Sequence, residues 1–216
     1  QRAVYDAHVA KLKDDLAHGE NNILAMLTRL RQICITPELI YQEEFENTKI
    51  NMAVDLIRSS VDAGHRILVF SQFAQSFSIL TKELDRMEIK YFQLDGTTKA
   101  KTRMEMVEEF NSNPDIKVFA ISLKAGGTGL NLVGADMVIH LDPWWNSSAE
   151  NQATDRAYRI GQTKNVYVVK LICKDTIEEK VVKLQALKRE LAESIVNSDE
   201  QNKVKLTKND ILELLE

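Results

Sequence analysis

Two arginines three residues apart, Arg156 and Arg159, stand in the stretch DRAYRIGQ at positions 155–162. Residues i and i+3 share a helical face, so on the last turns of a helix both guanidiniums can converge on one anion. Gly161 is expected to close that helix. A guanidinium keeps its charge at every working pH, and its fork of N–H donors matches phosphate oxygens. Such a pair suits the charge that spreads over a phosphoryl group during transfer. The same residues also suit a solvated pair on a surface helix, so the rest of the chain has to decide.

The elements around the pair follow a regular order. Residues 2–34 carry a helical pattern through Leu12, Leu16, Ile23, Leu24, Leu27, Leu30 and Ile33, broken near Gly19, Asn21 and Asn22 and ended by Pro37. A helix is expected over 49–62. Short apolar runs at 67–70, 91–94, 117–121, 137–141 and 166–172 then alternate with helical patterns at 74–87, 99–111 and 148–159. This alternation predicts an α/β fold, a parallel sheet flanked by helices, with ligands bound at the carboxyl ends of the strands. A long helix with a narrow apolar stripe is expected over 175–196, with Asp175 and Glu178 as its capping box. A polar tail and a short helix at 211–215 follow.

Unusual loops stand at the strand ends: Ser71-Gln72-Phe73, Asp95-Gly96-Thr97-Thr98, the glycine-rich 122–129, and Asp142-Pro143-Trp144-Trp145-Asn146. Each has an ordinary reading. Gly126, Gly127 and Gly129 can make a tight turn, Asp95-Gly96 is a common turn pair, and the two tryptophans can pack their loop onto the sheet. Their gathering on one edge favours a site.

A chain of 216 residues, 44% hydrophobic and 28% charged, can build one large core with helical additions. No apolar run approaches the ~18 residues that span a bilayer, so no membrane partner is expected. A net charge of −4 argues against nucleic-acid binding through the overall field, although local basic patches remain open. Cys34 and Cys173, without a histidine cluster in the sequence, point to reduced thiols and to neither a disulfide framework nor a zinc site. A beginning at Gln1 inside a helical pattern suggests a piece of something longer.

The sequence has no GxxxxGK[ST] phosphate loop and no Mg2+-binding acidic box after a strand. It carries candidate arginine fingers without a cradle for the nucleotide. ILVFSQF at 67–73, LDGTTKAKTR at 94–103, SLKAGGTGLNL at 122–132 and NQATDRAYRIGQ at 151–162, in this order, resemble motifs IV to VI of superfamily-two ATPases. The chain thereby resembles the second, C-terminal RecA-like lobe of a Swi/Snf-type DNA-dependent ATPase over residues 23–216. It departs from that pattern at Ile35, Thr36, Ser147 and Tyr158, none of them charged, and its short insertions suit a compact bacterial member.

The resemblance implies a RecA-like lobe at 47–175, preceded by helices and a linker from the first lobe at 1–46. A brace helix at 176–196 and a tail at 197–216 follow. It implies that Arg156 and Arg159 reach the γ-phosphate of ATP, and that Gln152, Gly127 and Gly129 line the nucleotide cleft. Gln72, Gly96, Thr97, Ser122, Lys124 and Trp145 fall where relatives contact or respond to double-stranded DNA. ATP and Mg2+ would be held mainly by the N-terminal ATPase lobe of the same parent chain, and a DNA-bound protein would be a possible cargo. This lobe alone is expected to be inactive. The parent would work in the cytoplasm on the nucleoid, or in the nucleus if eukaryotic. A strand-separating helicase lobe and a catalytically silent docking lobe are the alternatives.

Overall fold

Strands of four or five apolar residues with no polar alternation must be covered on both faces. The computed structural model, which describes residues 1–18, 23–126, 129–159 and 162–195, does this for the runs at 67–71, 118–122 and 137–140. Those at 91–94 and 167–170 form the sheet edges and are partly exposed. The expected breakers Gly19, Asn21 and Asn22, the glycines Gly127 and Gly161, and the whole of 196–216 lie outside the described residues.

Three helices, α1 (Arg2–Ala17), α2 (Ile23–Ile35) and α3 (Thr48–Asp62), precede β1 (Ile67–Ser71) and α4 (Phe77–Arg86). β2 (Tyr91–Leu94), α5 (Ala100–Ser112), β3 (Val118–Ser122) and the single turn α6 (Leu123–Gly126) follow. The chain continues through β4 (Met137–His140), α7 (Ser147–Thr154), β5 (Tyr167–Lys170) and α8 (Ile177–Ile195). The five strands form one parallel sheet in the order β2-β3-β1-β4-β5, as the alternation predicts.

Side chains alternate across the sheet. Leu68, Phe70, Phe119, Ile121 and Val138 face α5 through Phe110, α7 through Ala153 and the turn after α7 through Ala157. Ile67, Val69, Val118, Ala120 and Ile139 face α3 and α4 through Ala53, Ile57, Phe77 and Leu80. A third cluster joins the chain's two ends: Tyr5, Leu12 and Leu16 of α1 and Leu27, Leu30 and Ile33 of α2 pack with Ile177 and Val181 of α8. Tyr5 Oη accepts a hydrogen bond from Ile177 N at 2.7 Å, closing the start of α8. Leu24, expected on the apolar face of α2, is exposed instead.

Two helix ends differ from expectation. α7 stops at Thr154, and the chain tightens into turns in which Arg156 N bonds Ala153 O and Ala157 N bonds Thr154 O, each at 3.1 Å. The bend lets Arg156 O accept from Leu132 N at 2.9 Å, so Arg156 and Arg159 are not on one helical face. At α8, Asp175 takes a left-handed φ of 54°. Thr176 caps the helix instead, its Oγ1 accepting from Glu178 N, while Glu179 reaches back to Asp175 N at 3.0 Å.

Glu178 is buried and paired with Lys49 of α3, whose ammonium donates to it at 2.6 Å and to the carbonyls of Leu141 and Leu171 at 3.0 Å each. One ammonium thus binds the ends of β4 and β5 to α3 and α8. Lys49→Ala leaves the carboxylate buried and alone, and should cost about 3–5 kcal/mol in urea unfolding at neutral pH.

His140, at the end of β4, is buried between the rings of Phe70 and Trp144. Burial holds its pKa down at about 4, with Lys170 acting the same way against the pull of Glu150. The folded state therefore resists a proton that the unfolded chain accepts below ~6.5. The resulting stability is full above that pH and is lost as pH falls toward 4. The advantage of the native chain over His140→Phe should shrink by roughly 3 kcal/mol between pH 7 and pH 4 in denaturant titrations.

Candidate functional site

From β1 the chain crosses toward β2, and from β4 toward β5 on the opposite side. The carboxyl ends of β1 and β4 therefore flank a topological switch point, the usual place for a ligand crevice. Asp142, just past β4, is buried there. It accepts from Ser71 Oγ at 2.8 Å and from Gln72 N at 3.0 Å. Its other oxygen accepts from Arg31 Nη2 at 3.0 Å, and burial still pushes its pKa up to about 6.

Arg31 reaches this point from α2. It also donates to Pro143 O at 2.7 Å and to Gln72 Oε1 at 2.9 Å. Its guanidinium carbon lies 5.5 Å from the Phe73 ring centroid and 5.6 Å from that of Trp145. Gln72 and Trp145 are thus held by one buried cation. Neither Arg31 nor Asp142 was singled out from sequence, yet a signal was present. Arg31 falls four residues after Leu27 and three before Cys34, on the apolar stripe of α2, where a charge needs a buried partner.

The remaining residues expected at nucleic acid divide into three places. Gly96 and Thr97 are exposed in the loop after β2, where Thr97 N and Oγ1 donate to Asp95 Oδ1 at 2.8 and 2.6 Å. These bonds hold the Asp95 carboxyl below its usual range. Arg103 of α5 donates to Thr98 O at 3.3 Å and to Ala125 O at 3.5 Å, linking this loop to α6. Ser122 is buried at the end of β3, its Oγ without a partner among the described residues. Lys124 belongs to α6.

The residues expected at the nucleotide converge in part. Gly129 has a φ of +53°, and its carbonyl accepts from Arg159 Nη1 at 3.2 Å. Arg156 Nη1 lies 3.9 Å from where a Cβ on Gly129 would stand. Gln152, exposed on α7, and Arg156 line a cavity of about 50 Å3 with Phe70, Leu123 and Trp144. Gly127 lies outside the described residues.

Arg156 is only 7% exposed, and its Nε has no partner among the described residues. Burial lowers its pKa, and the neighbouring Arg159 adds to that. Among the described residues neither arginine forms an ion pair. Two guanidiniums held close together, one of them desolvated, form a site that an anion would relieve. If Arg156 is kept at a cost to the fold, Arg156→Met should raise stability by about 1 kcal/mol in urea unfolding. An unchanged or lower midpoint would mean that the fold itself satisfies the charge.

The model of the helicase conserved C-terminal domain matches residues 48–161. A protein of Mycoplasma genitalium described as an uncharacterized ATP-dependent helicase is 38% identical over 207 residues, 95% of this chain and 20% of its own length. The DNA excision repair protein CSB of Oryza sativa subsp. japonica is 36% identical over 214 residues, 94% of this chain and 18% of its length. The chain thus spans about a fifth of the curated relatives it matches. The Sulfolobus solfataricus SWI2/SNF2 ATPase core in complex with double-stranded DNA superposes with a TM-score of 0.77 at 36% identity. That match covers 91% of this chain and 43% of the other. The C-terminal domain of the same ATPase gives a TM-score of 0.73 at 32% identity, covering 90% and 83%.

Proposed function

The chain belongs to the helicase conserved C-terminal domain family, and from that premise we propose that it is the second RecA-like lobe of an SNF2-type motor driven by ATP along double-stranded DNA. The observation that carries the reading is the Arg156–Arg159 pair, desolvated in part and without a carboxylate partner among the described residues, beside Gly129 and Gln152. A γ-phosphate held by a facing lobe supplies the missing anion. Arg159 is exposed and can swing from Gly129 O to a phosphate oxygen, while Arg156 holds a fixed charge behind it. A finger of this kind is worth about 10³–10⁵ in turnover.

The facing lobe would provide the phosphate loop and the acidic ligand for Mg2+, which this sequence lacks. Asp142, the buried carboxylate at the switch point, is engaged by Arg31, Ser71 and Gln72 and so does not suit a metal. On the nucleic-acid side we assign Gln72, Gly96, Thr97, Ser122, Lys124 and Trp145 to the tracked strand or its coupling. The loop residues act through polar contacts to the backbone. Such contacts carry little sequence preference and weaken with salt. Gln72 and Trp145 share Arg31, so a shift of either would be felt along α2 and at Asp142.

The test is phosphate release by the full-length parent without DNA, with single-stranded DNA and with duplex DNA. Duplex stimulation that falls by about 10³ or more in Arg159→Ala and in Arg156→Ala supports the motor and both fingers. Stimulation by single strands alone would replace it with a strand-separating lobe. No turnover under any condition would leave a docking module.

A further inference from the structure

The sequence keeps its two cysteines 139 residues apart, but the fold does not. Cys34 is the penultimate residue of α2 and Cys173 lies in the connection from β5 to α8. Their sulfurs and a carboxylate oxygen of Glu178 all lie within 4.8 Å of one another. Cys173 Sγ is 3.2 Å from Cys34 O, to which its thiol donates. Their closeness is a product of tertiary contact, which the sequence reading of two reduced thiols does not address.

Three donors of this kind raise the question of a metal. Glu178 answers it: both its oxygens are taken by Lys49, and Oε2 also accepts from Cys173 N at 2.8 Å. A cation drawing on that carboxylate would leave a buried ammonium beside it without its counter-charge. Two thiols and an occupied carboxylate make a poor metal centre.

We propose that Cys34 and Cys173 form an oxidation-sensitive dithiol that closes to a disulfide on exposure to a hydroperoxide, stapling α2 to the start of α8. A disulfide needs its sulfurs at about 2.05 Å. The two sulfurs start no more than 4.8 Å apart, and rotation about χ1 is the motion that would bring them together. The two thiols are unequal. The hydrogen bond from Cys34 holds the Cys173 thiol below its usual range, with Lys49 assisting against burial and Glu178. The same hydrogen bond, with burial, pushes Cys34 well up. Both cysteines line a surface cavity of about 150 Å3 with Gln1, Arg2, Tyr5 and Thr176, but Cys34 is buried and Cys173 only half-buried. The more acidic thiol is thus the more accessible one, the arrangement that selects an attacking cysteine.

The steps balance. The Cys173 thiolate attacks one peroxide oxygen, the O–O bond breaks, and a sulfenic acid and hydroxide result. The Cys34 sulfur then attacks the sulfenic sulfur, its proton joins the departing hydroxyl, and water leaves as the S–S bond forms. Two thiols lose two electrons and the hydroperoxide is reduced. Arg31 lies one turn before Cys34 on α2, so the staple would hold the helix that positions Gln72.

The full chain is treated with hydrogen peroxide under native conditions, alkylated after unfolding and digested for mass spectrometry. The expected result is a monomer short of two hydrogens, with no alkylated cysteine. A cross-linked pair of peptides containing Cys34 and Cys173 should appear and be lost with dithiothreitol. The oxidised chain should melt roughly 5–10 °C higher than the reduced one. Cys34→Ser should stop at a dimedone-reactive Cys173, whereas Cys173→Ser should leave Cys34 largely unmodified. Two alkylated cysteines after oxidation, a disulfide between two chains, or one tightly held zinc per chain that blocks oxidation would each overturn the proposal.

Discussion

The interaction on which the site most depends is the burial of Arg31 against Asp142. A guanidinium taken out of water must recover its hydrogen bonds and its counter-charge from the protein. Arg31 recovers its counter-charge and the bonds of both terminal nitrogens from the loop after β1, through Gln72, and from the loop after β4, through Asp142 and Pro143. Its Nε has no partner among the described residues. These loops flank the switch point, and the cation that joins them comes from a helix before the sheet begins. The helix and the crevice therefore cannot be placed independently. Lys49 repeats the device on the same edge, joining the ends of β4 and β5 to α8.

Arg156 shows the opposite economy. It is largely buried and lies beside a second guanidinium, and although the Asp155 carboxylate acts on it at a distance, it forms no ion pair among the described residues. The fold elsewhere pairs its buried cations closely, through Asp142 and Glu178, and the proposed motor would supply the corresponding anion here as a bound phosphate. The turns after α7 serve this placement. They fold Arg156 back so that its carbonyl secures Leu132, while its side chain stays beside Gly129. Motif and conformation are coupled there: a helix continued through Arg159 would lose both contacts.

The third apolar cluster ties the helices before the sheet to the helix after it. α1, α2 and α8 touch through Leu12, Leu30, Ile33, Ile177 and Val181, with Tyr5 capping α8 across the cluster. Segments from both ends of the chain meet within it, and so do the two cysteines. A change in the packing of α8 would reach Arg31 through α2 without passing through the sheet.

The periodicity of the chain determined a great deal by itself. Short, β-rich apolar runs such as ILVF at 67–70 fit strands covered on both faces, and the helices between them favour parallel pairing. The order of the loops then placed Gln72, Gly96 and Gly129 at one edge, and only the motif resemblance brought the two arginines to it. Spacing could not supply the partners of buried charge. Arg31 and Asp142 are 111 residues apart, and Lys49 and Glu178 are 129 apart. Nor could it show that α7 ends at Thr154, because a helical pattern does not reveal that the Arg156 carbonyl is needed by Leu132. Local pattern is set by the covering of apolar surface, which repeats along the chain. Pairing of charge, capping and the meeting of the thiols depend on which distant segments share a dry interior, and only the tertiary structure decides that.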